Sequence, residues 1–180
     1  SQMRKIRQEK RVGRAWDLLA QRRLMLIGQL EQTERSVIDE LQQAHRLRKE
    51  PTFASEIRKR GFLAIRAEQF GDKFDAVERW KRLRTDLFAK PHDRLWYLQA
   101  SRKLELISKN LPKLKEGQSE GQFRQELLKK RLEDAKNVAS GKILSSLGVC
   151  MDIIALYGDR SELSSEVEKA KALFKKLNGE

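Results

Sequence analysis

Arg4, Arg7, Arg11 and Arg14 follow one another at intervals of three, four and three residues, which on an α-helix gathers their side chains within an arc of about 80°. Four guanidiniums aligned in this way repel one another, and a polyanion relieves the repulsion. Each planar fork grips a phosphate or carboxylate through two parallel hydrogen bonds, and a nucleic acid releases counterions as it is neutralised. Arg22 and Arg23 extend the same leading segment, in which eight Lys and Arg stand against two Asp and Glu over residues 1–25. A second basic group, Lys81 and Arg84, lies beside Trp80. Its favoured reading is a cation–π contact in which Arg84, one turn on, covers a core indole. Its other reading is a Trp and Arg platform beside a backbone groove, as single-stranded nucleic acid binders use. Asp75 with Arg79 and Glu78 with Arg82 have i,i+4 spacing and neutralise much of this stretch. The runs Arg58-Lys59-Arg60 and Lys129-Lys130-Arg131 read as solvated helix surface.

Catalytic and metal chemistry find no matching pattern. The sequence holds no Walker-type phosphate loop, no G-x-G-x-x-G, no G-x-S-x-G elbow and no H-E-x-x-H. One cysteine and two histidines make neither a disulfide framework nor a conventional structural zinc site. His45, among Gln42, Gln43 and Arg46, and His92, after Pro91, read as surface residues, and Cys150 as a small buried hydrophobe. The expectation is a protein that is not an enzyme and uses no cofactor or metal.

Helices are the elements that must position these residues. The three prolines, Pro51, Pro91 and Pro112, fall between helically patterned segments and cut the chain into natural helical lengths. Residues 1–50 carry apolar positions at steps of three, four or seven, from Trp16 and Leu19 through Leu30, Val37 and Leu41 to Ala44, which predicts one long amphipathic helix. Between Leu18 and Leu30 the stripe broadens to take in Leu24, Met25 and Ile27, as expected of contact with more than one neighbour. A helix over residues 1–49 extends about 70 Å, against a width of roughly 40 Å for a compact domain of this size, so it must overhang or break.

Further on, a helix carrying Phe53, Ile57, Ala64 and Ala67 ends at a Gly71 cap, and Asp72 opens the next, whose apolar arc is Phe74, Val77, Trp80, Leu87 and Phe88. Asp93 is placed to cap a helix that closes near Asn110, and residues 111–121 form a loop. Ser119 with Gln122, and Asp159 with Glu162, have capping-box spacing. Residues 143–157 are apolar nearly all round and are the best candidate for the centre of the core. The predicted fold is all-α, an elongated bundle of five to seven helices with a partly overhanging first helix. Residues 1–14 form a basic extension, and residues 15–180 form one helical domain.

With 39% apolar and 36% charged residues and a formal charge of +13, the 180-residue chain points to an acidic partner: nucleic acid, RNA more than DNA, or an acidic protein surface. The leading expectation is a non-enzymatic structural or accessory subunit that binds nucleic acid in a larger assembly. Arg4, Arg7, Arg11, Arg14, Arg22, Arg23, Lys81 and Arg84 would make its phosphate contacts. The alternative is a protein-interaction module whose first helix pairs with other helical subunits through Leu30, Val37 and Leu41, with the charge serving only to steer. No apolar stretch reaches the ~18 residues that span a bilayer. Met3, Ile6 and Val12 offer too little apolar area to favour peripheral membrane binding. An intracellular location is expected, with cytosol, nucleus and organelle matrix not separated.

Overall fold

The computed structural model describes residues 2–88, 93–137 and 143–179, with residues 2–12 described through the backbone alone. Seven helices make up most of it: α1 (Gln2–Leu47), α2 (Glu56–Phe70), α3 (Lys73–Leu87), α4 (Arg94–Ser108), α5 (Glu120–Lys136), α6 (Ile143–Tyr157) and α7 (Ser164–Asn178). No strand occurs among the described residues, and the protein is an all-α helical bundle. The turn expected at Pro91 and His92 and the bend expected at Ser140 and Gly141 lie outside the described residues. The chain divides into two units, residues 1–36 and 37–180, and the division falls inside α1. The helix itself runs unbroken through Gly13 and Gly28.

Within residues 37–180 the helix ends follow local chemistry. Ser55 opens α2, its hydroxyl accepting from the Arg58 amide, and Phe53 lies ahead of the helix rather than in it. Gly71 closes α2 at φ 100°, a left-handed conformation that costs glycine little, and donates to the Ala67 and Glu68 carbonyls. Asp72 follows at once and caps α3, accepting from the Asp75 amide at 2.9 Å. Ser119 and Gln122 form a reciprocal capping box on α5. The box expected at Asp159 and Glu162 does not form. A 3₁₀ turn (Ser161–Leu163) leads into α7, and backbone bonds within it satisfy donors that a cap would otherwise take. Asp93 precedes α4 without bonding its amides through the side chain.

α2 packs on α3 and α3 on α4, while α6 packs on α2, α5 and α7. One apolar core runs through them, with Phe62, Ile65, Trp80, Leu128, Ile153 and Tyr157 among its buried members. α6 is buried along its middle, as its composition predicts, but Ile143 and Leu144 at its start are exposed. Gly61 on α2 makes room for the Trp96 ring of α4, since a Cβ there would overlap it.

Three buried carboxylates tie these helices together. Asp72 uses its second oxygen to accept from Arg124 Nε on α5 and from the Tyr157 hydroxyl on α6, both at 2.8 Å. Asp75 accepts from Arg79 Nε at 2.6 Å and is also paired with Arg160, beyond the end of α6. Asp152 on α6 accepts from Arg66 Nε at 2.7 Å and lies 2.8 Å from His45 Nε2. Arg66, fully buried, turns the rest of its fork to Glu50 at 2.7 and 3.0 Å. Burial works against the charges of Arg66 and Arg124, yet their carboxylate partners more than offset it and raise both pKa values.

Replacing Asp72 removes a cap and strands the Arg124 charge. Asp72→Ala is expected to lose about 3–5 kcal/mol, well beyond the ~1 kcal/mol of a lost cap alone. Asp72→Asn keeps the capping oxygen and should fall between wild type and alanine in urea-denaturation midpoint.

Candidate interaction surface

Large apolar side chains are exposed most densely on the leading half of α1. Trp16, Leu18, Leu19, Leu24 and Met25 are 54–68% exposed, five within ten residues, whereas the other exposed large hydrophobics of the described chain are scattered over four helices or their ends. At about 100° per residue, Trp16 and Leu19 share one side of the helix with half-buried Leu26 and Ile27. Leu18 and Met25 lie about 180° from Trp16, and Leu24 falls between the two sides. Apolar groups therefore surround this segment instead of forming one stripe. Arg14, Arg22 and Arg23, all exposed, are interleaved with them, and Asp17 is the one acidic residue between residues 13 and 30.

Burial changes along the helix. Leu30 is 4% exposed, and Val37 and Leu41 are packed into the core of residues 37–180. Val37 and Leu41 are thus buried within residues 37–180 and not free to pair with another subunit, which corrects their expected role, while Leu30 belongs to the other unit. Val37 and Leu41 meet the chain's own apolar cluster, and the side chains left to a partner are the earlier ones. Trp16, which opens the apolar stripe predicted for this helix, is 67% exposed.

The cationic candidates distribute as follows. The α1 backbone is helical over residues 4–14, so the spacing of the four arginines is helical spacing, but the side chains of Arg4, Arg7 and Arg11 lie outside the described residues. Arg14, Arg22 and Arg23 belong to one unit, Lys81 and Arg84 to the other, and all five are exposed. The cation–π contact expected of Arg84 with Trp80 is replaced by another arrangement. Trp80 is fully buried, and its indole N–H donates to Glu68 Oε1 at 2.6 Å, while Lys103 donates to the other oxygen at 2.8 Å. A buried ring offers no face to a nucleic acid base, so the platform reading fails too. The guanidinium–ring contacts found among the described residues are Arg66 on Phe62, Arg131 on Phe70 and Arg160 on Tyr157.

Sequence reasoning misplaced two further groups. His45 turns inward to Asp152, and its ring lies so close to Gly148 that a Cβ there would fall 2.9 Å from Nδ1. The signal was its position four residues after Leu41 and eight after Val37, beside the buried face. Arg131, half-buried, also turns inward and donates to the Phe70 carbonyl at 3.0 Å.

Arginine or histidine engages Asp72, Asp75 and Asp152. Burial first, then the charges of Asp72 and Asp75, push the Tyr157 phenol far above its ordinary range. Burial alone pushes the Cys150 thiol up to about 11. An open depression of about 700 Å³ is lined by Phe53, Glu56, Lys59, Phe62 and Asp159 among others. No helix among the described residues is long and apolar enough to cross a membrane. Comparison with known proteins gave no match to any family model, curated protein or solved structure.

Trp16 is the exposed indole, Trp80 is buried and Trp96 half-buried. Iodide is therefore expected to quench mainly Trp16, and Trp16→Phe should shift the emission maximum to shorter wavelength and remove most of the quenchable intensity.

Proposed function

We propose that the protein is a non-enzymatic structural subunit of a larger assembly, a helical protein-interaction module that docks through residues 13–29 of α1. The observation that carries this reading is the exposure of five large apolar side chains, Trp16, Leu18, Leu19, Leu24 and Met25, on a segment whose backbone is already helical. Such surface gains most from removal from water, and a preformed helix pays little ordering entropy when it docks. The interleaved Arg14, Arg22 and Arg23 steer the approach of an oppositely charged surface.

A second reading, binding of RNA through phosphate contacts, draws on the charge of the same helix, eight basic against two acidic residues over residues 1–25. It accounts for the arginines but gives the leucines and the methionine no role, since phosphate contacts bury little aliphatic surface.

A photo-crosslinking benzoylphenylalanine in place of Leu18 in the whole chain, irradiated in cells, separates the two. The interaction module yields discrete adducts that resist nuclease, are destroyed by protease and are lost when Leu24→Lys is added. Nuclease-sensitive adducts, together with an affinity for generic RNA that falls with log salt at about −0.7 per neutralised phosphate, would instead establish the second reading.

A further inference from the structure

We infer that the partner of residues 13–29 is a protein that encloses the helix in a hydrophobic groove with an acidic rim. This rests on the reading of that segment as the docking element and adds the chemistry of what receives it.

Two observations select that partner. First, the exposed apolar groups surround the helix: Trp16 and Leu19 lie on one side, Leu18 and Met25 about opposite, and Leu24 between. A flat lipid surface, or a single helix lying alongside, covers one stripe and leaves the others in water. A groove wraps the helix and takes anchors from several sides at once. Second, the charge is one-sided. Arg14, Arg22 and Arg23 are exposed among the apolar groups against Asp17 alone, and residues 1–25 carry eight basic and two acidic residues. A second copy of this helix would bring the same positive excess to the interface. An acidic rim complements it, and with the guanidiniums at the groove edge their charge stays hydrated while the apolar groups are covered. Glycine at 13 and 28, with open space around both, leaves room for close approach of the groove walls at either end of the segment.

The test uses the full-length protein, with Trp16 emission and complex mass as readouts, against four probes. These are calcium-loaded calmodulin as a generic acidic, methionine-lined groove, vesicles of phosphatidylcholine and phosphatidylserine, poly(U), and the chain itself over a range of concentrations. The expected result is a one-to-one complex with calmodulin that shifts Trp16 emission to shorter wavelength, a shift absent from Trp16→Phe. Leu19→Lys, and separately the pair Arg22→Glu and Arg23→Glu, should weaken it at least about tenfold while leaving the helical circular dichroism unchanged. Calmodulin binding that the charge reversal leaves untouched overturns the acidic rim. If vesicles or self-association shift Trp16 and calmodulin does not, the groove proposal falls and the docking role of the segment survives. If poly(U) alone binds, and Leu19→Lys has no effect on it, both fall.

Discussion

A carboxylate taken out of water must find a cation or give up its charge, and the bundle of residues 37–180 is arranged around three places where that demand is met. Asp72, Asp75 and Asp152 each lie where helices converge, and each is engaged by arginine from another element. Apolar packing alone tolerates a helix sliding by part of a turn. A buried ion pair does not, because a slip leaves a charge without its partner at a cost of several kcal/mol, on the order of 3–5. Asp72 shows the economy of the design: one oxygen starts α3, and the other fixes α5 through Arg124 and α6 through Tyr157. Gly71, in its left-handed turn, delivers that aspartate to the junction.

The same pairing sorts the molecule's cations into two populations. Arg66 and Arg124 are buried, and Arg79 and Arg160 are largely so; all four are matched by carboxylates and contribute to architecture. Arg14, Arg22 and Arg23 stand in the open among apolar side chains. The formal charge of +13 counts both kinds alike, which is why net charge alone is a poor guide to where a partner binds.

Short-range signals carried well from sequence to structure. Gly71, Asp72, Ser119 and Gln122 mark helix ends because the bonds they make span three or four residues. Residues 143–157 form a helix with a buried middle because their composition allows little else. The i,i+4 pair of Asp75 with Arg79 was legible, but the long-range pairs were hidden, since Arg66 and Asp152 are 86 positions apart and nothing local distinguishes that arginine from its solvated neighbours. Periodicity likewise identified the apolar face of α1 without saying which part of it would be covered. Trp16 and Trp80 have similar spacing in their helices, yet one is exposed and the other is sealed in the core. Coverage depends on which distant segment arrives, and that is a property of the whole fold.

Cys150 has a consequence of its own. Its sulfur is enclosed in α6 and held as the thiol, so thiol-directed reagents in the surrounding medium find nothing to attack at this position while the bundle stays shut. Once α6 comes away, the sulfur behaves as an ordinary reactive thiol. Covalently linked pairs of chains would then accumulate as a record of how often the bundle has opened.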